Sequence, residues 1–301
     1  MYTHLAVPLD GSSFAEHALG YAVLIARHAG ASLDLVLVHT SYSVATMDVA
    51  IHETVQGWQD EQRAQEATYL HEVSARLERE EGVRARPVLL AGSVVGALEG
   101  HVRESGADLV VMTTHGRTGL LRAWLGSVAE GLVGRLRVPV LLVRPRDGEP
   151  RPEDAGVVFR HVAVALDGSA KSERAVATAL ALAEPETRLS LLRVVVPPRA
   201  PTSAYLPHAA RLNHELLEER LAAAAAQLEE RAAALRALGR PVATCVLVDY
   251  HPAQALVDWA ETNGADVIAL SPPSRNPALR LLLGGVPRRV VRSGSVPVLV
   301  G

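Results

Sequence analysis

The sequence predicts an α/β protein made of two copies of one doubly wound domain, each a five-stranded parallel sheet with helices on both faces. Three observations carry this. First, whole stretches recur in the same order and spacing: "HLAVPLDGSSFAEHAL" (4–19) returns as "HVAVALDGSAKSERAV" (161–176), "SGADLVVMTTH" (105–115) as "NGADVIALSPP" (263–273), and "RVPVLLV" (137–143) as "SVPVLV" (295–300). Second, short β-branched or leucine-rich runs alternate with longer helical patterns inside each copy, as βαβ units require. Third, "RPRDGEPRPEDAG" (144–156) is rich in proline and charge and nearly empty of apolar side chains, so it reads as a linker between domains at 1–146 and 157–301.

Taken in order, the first copy is expected to place strands near 3–8, 32–39, 84–90, 107–113 and 138–143, with helices near 13–29, 48–81, 94–105 and 125–136. Gly30, Gly82 and Gly106 stand just past three of those helices, where a left-handed residue closes the last turn. The second copy follows the same plan. Its alanine run "RLAAAAAQLEERAAAL" has high helix propensity and predicts a helix over 211–238.

Composition narrows the function classes. The chain has 301 residues, enough for two domains with proper cores, and 49% hydrophobic against 21% charged residues marks a folded protein. A net charge of −3 and 4% aromatic residues supply neither the basic footprint nor the stacking platforms of a nucleic-acid binder. The single cysteine, Cys245, lies in the apolar stretch "VATCVLVDY" and reads as a buried core residue in a reducing compartment. The opening residues lack a signal-peptide pattern, and no run reaches the roughly 18 apolar residues of a membrane span, so a cytoplasmic protein with no membrane partner is expected. Lys171 is the only lysine, and no Gly-Lys pair occurs, which excludes the usual P-loop.

The segment "THGRTGLLRAWLGS" (114–127) follows the fourth strand and leads into a helix. In a doubly wound sheet, ligands sit beyond the carboxyl ends of the strands where strand order reverses. Three elements would meet there: Asp10 after the first strand, Val38 to Thr40 at the end of the second, and the 113–127 loop. A carboxylate such as Asp10 can accept from ribose hydroxyls or an amino group, or it can simply organise the turn into the following helix. Open backbone at the second strand's end can pair with an adenine edge. Gly116 lets main chain approach a phosphate, and Gly126 and Ser127 offer N–H groups and a hydroxyl at a helix start that carries partial positive charge. His115 could touch a phosphate or make a structural hydrogen bond, and Arg117 could neutralise phosphate or stand on the surface.

With these residues in place, the chain resembles a tandem universal stress protein, two such domains in one polypeptide. The nucleotide-binding members carry Gly, two residues, Gly, nine residues, Gly, then Ser or Thr. Here Gly116, Gly126 and Ser127 match, and Thr113 stands at the first glycine position. The resemblance implies the adenine nucleotide alpha hydrolase-like fold and a bound ATP, accompanied by magnesium. It implies that Pro8 and Asp10 of "VPLDGS" flank the adenosine, that Val38 of "LVLVH" touches the base, and that Met112, Thr113 and Val128 line the pocket. It also implies pairing of the two domains through their valine-rich final strands, and a homodimer as an open alternative.

The second copy keeps Asp167 and Val194 but departs at the loop: Pro272 and Pro273 replace Thr114 and His115, Ser274 replaces Gly116, and Gly285 replaces Ser127. Each proline deletes an N–H donor, so only the first domain is expected to bind ATP well. No histidine or acidic cluster has metal-ligand spacing, and no G-x-S-x-G elbow or activated cysteine offers a nucleophile. A non-catalytic, ATP-binding stress-response protein is therefore the leading expectation. A slow ATPase or phosphotransferase and a nucleotide-free dimerising scaffold are the alternatives.

Overall fold

A computed structural model describes residues 1–40, 49–114, 126–144, 159–198, 209–272 and 285–301. The chain divides into two compact units, Met1–Val158 and Phe159–Gly301.

The first unit runs β1 (His4–Leu9), α1 (Ser13–Ala29), β2 (Ser32–His39), α2 (Val49–Arg76), β3 (Ala85–Ala91), α3 (Val94–Ser105), β4 (Leu109–Thr113), α4 (Ser127–Arg135) and β5 (Val140–Val143). Its strands lie in the order β3-β2-β1-β4-β5 with parallel pairing, so order reverses between β1 and β4. Right-handed crossovers then put α1 and α2 on one face and α3 and α4 on the other. Accordingly α1 packs on β1 and β4, α2 on β2 and β3, and α3 on α4. Leu5, Ala6, Val7, Leu33, Leu35, Leu109, Val110 and Val111 are all shut off from solvent, the near-continuous apolar runs that a sheet covered on both faces demands.

Local chemistry explains the boundaries. The Ser12 hydroxyl accepts from the Ala15 amide at 3.2 Å and caps α1. Gly30 ends the same helix at φ 66°, a left-handed conformation that a Cβ would oppose. The helix expected over 48–81 is α-helical only to Arg76, then widens into a π turn over Leu77–Glu81. That turn absorbs one extra residue, for one residue more separates Leu77 from β3 than separates its counterpart Leu235 from the corresponding strand of the second unit.

The second unit runs β6 (His161–Ala165), α5 (Glu173–Leu182), β7 (Arg188–Val195), α6 (Ala209–Ala237), β8 (Val242–Val248), α7 (Pro252–Thr262), β9 (Val267–Leu270), α8 (Val286–Ser293) and β10 (Val298–Val300). The order β8-β7-β6-β9-β10 repeats that of the first unit, again parallel. The aspartate of the repeated "GAD" motif has the same task in both. Asp108 accepts from the Thr3 and His4 amides (2.8 and 3.1 Å), and Asp266 from those of Arg160 and His161 (2.7 Å each), clasping the fourth strand's start to the first. Cys245 is half-buried rather than fully buried, because β8 is the outermost strand of its unit and one side of the sheet there is less covered.

Beneath the common backbone the polar interiors differ. In the first unit Asp34, 2% exposed, is opposite Ala6 and gathers four donors. Arg86 binds it bidentately (2.9 and 2.6 Å), and the Nε2 atoms of His101 and His4 lie 2.8 and 3.1 Å away. Burial would raise the Asp34 pKa, but the bonds and charges of Arg86 and His4 outweigh it and hold the carboxyl below the ordinary value. In the second unit the corresponding places hold Ser190 and Ala243, with Trp259 where His101 stands. His161 there bonds Ser190 through Nε2 at 2.8 Å, and Trp259 meets its ring edge-on.

Burial, then the charge of Arg188, lowers the His161 pKa below its ordinary 6.5, so the folded state favours the neutral ring. Its contribution is complete above the unfolded value and is lost as pH falls from about 6.5 through the lowered folded value. Replacing His161 with Gln is therefore expected to flatten the loss of stability of the second unit between neutral and mildly acid pH, read from urea midpoints across that range.

Candidate functional site

At the reversal point of the first unit, four segments converge. The Thr114 amide donates to Val143 O at 2.9 Å, and the Gly126 amide donates to Thr114 O at 2.8 Å, so the start and end of the intervening loop are tied together at the exit of β4. This brings the start of α4 to the sheet's carboxyl edge. Gly126 is its N-cap, and Gly126 O accepts from the Glu130 amide at 2.9 Å. The Gly126 N–H is thus consumed in closing the loop. The donors at this helix start are instead the amides of Ser127 and Val128, which have no intrahelical acceptor, and the exposed Ser127 hydroxyl.

Asp10 follows β1. Its carboxylate accepts from the Ser12 amide (3.0 Å) and hydroxyl (2.6 Å), and Ser12 in turn caps α1. The turn-organising role is therefore realised in the geometry. Close by, Tyr69 of α2 donates to Glu16 at 3.0 Å, and Arg76 donates to the same carboxylate at 2.7 Å. Burial first, then Glu16 and more weakly Asp10, push the Tyr69 hydroxyl above its usual range.

β2 outruns β1. Pro8 stands opposite Val36, and the β1 ladder ends with Leu9 opposite Leu37, whereas pairing with β3 continues to His39 opposite Ala91. Main-chain groups alternate along the strand: Ser32 N donates to Thr3 O on the β1 side, Leu33 N to Arg84 O on the β3 side, and His39 O accepts from Gly92 N at 3.3 Å. Val38 therefore faces the β1 side, where its amide closes the last rung on Leu9 O, which leaves the Val38 carbonyl and the main chain of Thr40 past the end of the β1 ladder, the edge that Asp10 follows. Met112 and Thr113, the last residues of β4, are buried opposite Leu142 and Val143, and Val128 is half-buried in the first turn of α4. Pro8, Asp10, Val38, Met112, Thr113, Gly126, Ser127 and Val128 thus belong to segments that meet at one edge, while Gly116, Arg117 and His115 lie outside the described residues.

The second unit has the same frame with different chemistry. Burial would raise the Asp167 pKa, but hydrogen bonds from Ser169 and Ser172 outweigh it and keep the carboxyl below its ordinary value. The amide of Ser169 donates to it at 2.8 Å. Pro272 follows β9 without an N–H, and Pro273 and Ser274 lie outside the described residues. Gly285 caps α8, and Pro287 in that helix's first turn removes another amide. Sequence comparison of the loops alone missed Pro287; the mark was present in "GGVPRR", one step beyond the glycine motif.

Arg193 of β7 also differs, standing one residue before Val194. Its guanidinium bonds Gln227 and lies over Gly168, so a Cβ there would come within 2.6 Å of Nη1. Gly168 has φ +82°. The guanidinium can swing aside, so the backbone conformation sets most of the expected cost of Gly168→Ala, about 1 kcal/mol, measurable as a lowered urea midpoint.

Among the described residues no group of three His, Cys, Asp or Glu side chains could hold a metal ion, and no helix is long and apolar enough to cross a membrane.

A parallel sheet whose strand order reverses beside a glycine-capped helix start defines a doubly wound α/β protein. The universal stress protein family model matches residues 1–144 and again 159–300, and the chain belongs to that family. A universal stress protein of Mycobacterium bovis is 31% identical over 198 residues, covering 64% of this chain and 61% of that protein. One from Methanocaldococcus jannaschii is 29% identical over 149 residues, 48% of this chain and 83% of the relative. The crystal structure of a universal stress protein from Archaeoglobus fulgidus superposes with a TM-score of 0.69 at 20% identity, covering 99% of this chain and 97% of the other.

Proposed function

We propose that the first unit binds ATP, accompanied by magnesium, as a non-catalytic stress-response module, and that the corresponding cleft of the second unit has lost this capacity. The observation that carries the reading is the Gly126 N to Thr114 O bond. It sets the Ser127 and Val128 amides at the same edge as Asp10, the Val38 carbonyl and the main chain of Thr40. An anion is favoured at such a helix start, and an adenine edge fits the donor and acceptor groups of an extended strand end. In the second unit Pro287 removes a donor from the first turn of the equivalent helix, while Pro272 stands where the Thr114 amide is spent on Val143 O.

Bound nucleotide would act by mass action, stabilising the conformation that holds it. Calorimetric titration of ATP with magnesium into the full chain tests the reading. One site per chain is expected, with adenine nucleotide released on denaturing protein purified without added ligand. Two sites of equal affinity would restore the second unit, and no heat at millimolar ATP would overturn the proposal.

A further inference from the structure

His39 ends β2 with its side chain on the face covered by α2. Its Nδ1 lies 2.8 Å from Glu66 Oε2, and the other oxygen of Glu66 accepts from Gln62 Nε2 at 2.8 Å. His39 is 1% exposed and Glu66 8%. Taking such a couple out of water is costly, and apolar residues of similar volume serve packing at least as well.

The second unit has made that replacement. Val195 occupies the place of His39, since each is the residue of the second strand opposite the end of the third, Val248 or Ala91. Ala224 occupies the place of Glu66, since each lies four residues before the first of two buried leucines seven apart, Leu228 and Leu235 or Leu70 and Leu77. Both substitutes are buried, and the same sheet order forms around them. The fold therefore does not require the polar couple. It occurs in the unit whose loop carries the glycines, at the carboxyl end of the strand that outruns β1.

From this we infer that Glu66 and His39 are positioning residues for the base-reading end of β2. The inference rests on the proposed ATP site and deepens it. The strand end is held at two points, by the Gly92 amide on His39 O and by Glu66 on the imidazole. Between them these fix the Val38 carbonyl and the main chain of Thr40, which lie past the end of the β1 ladder. Recognition of a base edge by backbone groups needs placement within about 0.5 Å, which a braced strand end supplies and a frayed one does not. The couple consequently governs the part of the affinity that depends on the base and leaves the phosphate part to the start of α4.

The test uses the full chain and three probes: ATP, GTP and inorganic tripolyphosphate, each with magnesium. The double variant His39→Val/Glu66→Ala installs the second unit's own residues. It is expected to lose about tenfold in ATP affinity and most of its preference for ATP over GTP, while tripolyphosphate binding stays within about twofold. Glu66→Gln, which keeps a hydrogen bond to His39, is expected to retain ATP affinity within about threefold. Equal losses for ATP and tripolyphosphate, unchanged ATP affinity, or a double variant that fails to fold would each overturn the assignment by making the couple a packing element. A parent protein that binds ATP through Gly116 and Ser127 yet is indifferent to the double variant refutes this inference alone. A parent protein that binds none of the probes refutes the ATP reading and this inference with it.

Discussion

Introducing Gly116→Ser and Ser127→Gly together, the residues of the second unit, is expected to lower ATP affinity by about a hundredfold or more. The first change adds a Cβ and hydroxyl where main chain would approach phosphate, and the second removes a hydroxyl donor at the start of α4. The lost hydroxyl bond to a charged acceptor weakens binding by about 1.5–3 kcal/mol, and a Cβ that bars main chain from the phosphate costs a second bond of about that size, so the two together give that factor. The protein itself is expected to be little disturbed. Ser127 is exposed, and the Gly126 cap, whose amide closes the loop on Thr114, is retained. Calorimetry with ATP, alongside the thermal midpoint without ligand, separates the two effects. An ATP affinity within about threefold of the parent would show that the loop is a turn and not a cradle.

The second large effect concerns Asp34. Asp34→Ala is expected to destabilise the first unit by about 3 kcal/mol, seen as a fall in its urea midpoint. The loss leaves His4 and His101, 21% and 11% exposed at their side chains, without the buried acceptor they share. Arg86 is 62% exposed and can rehydrate, which sets the figure at the low end for a broken buried pair. The pH dependence has a definite sign. Because the folded pKa of Asp34 is lowered, its contribution is present above the ordinary carboxylate range and disappears as pH falls through the lowered value. The variant should therefore lose the acid-limb component of stability that the parent shows, while the second unit, with Ser190 in that place, keeps its own profile.

The repeat, the alternation of strands and helices, and the glycine closures at Gly30, Gly82 and Gly106 were legible in the sequence because each is local. Hydrophobic period and helix caps act over a few residues, and a repeated domain doubles every such signal. The strand ends of the candidate site were legible for the same reason, since β1, β2 and β4 each run into a polar or glycine-rich stretch of sequence. The Asp34 cluster was not, because His4, Asp34, Arg86 and His101 come from four elements, and only the sheet order brings them together. The same holds for His39 and Glu66, which are 27 positions apart. The use of the Gly126 amide was also hidden. A glycine before a helix reads as an open donor, and only the loop's closure onto Thr114 shows where that hydrogen goes.

The edge-on contact of His161 with Trp259, with ring centroids 5.8 Å apart, makes the second unit optically self-reporting. A charged imidazolium against an indole quenches its emission, whereas the neutral ring does so far less. Acid titration of this one histidine would then dim one of the three tryptophans in the chain, while Trp58, standing in solvent, glows unchanged. Local protonation could thus be followed by fluorescence in the intact polypeptide, with no label attached.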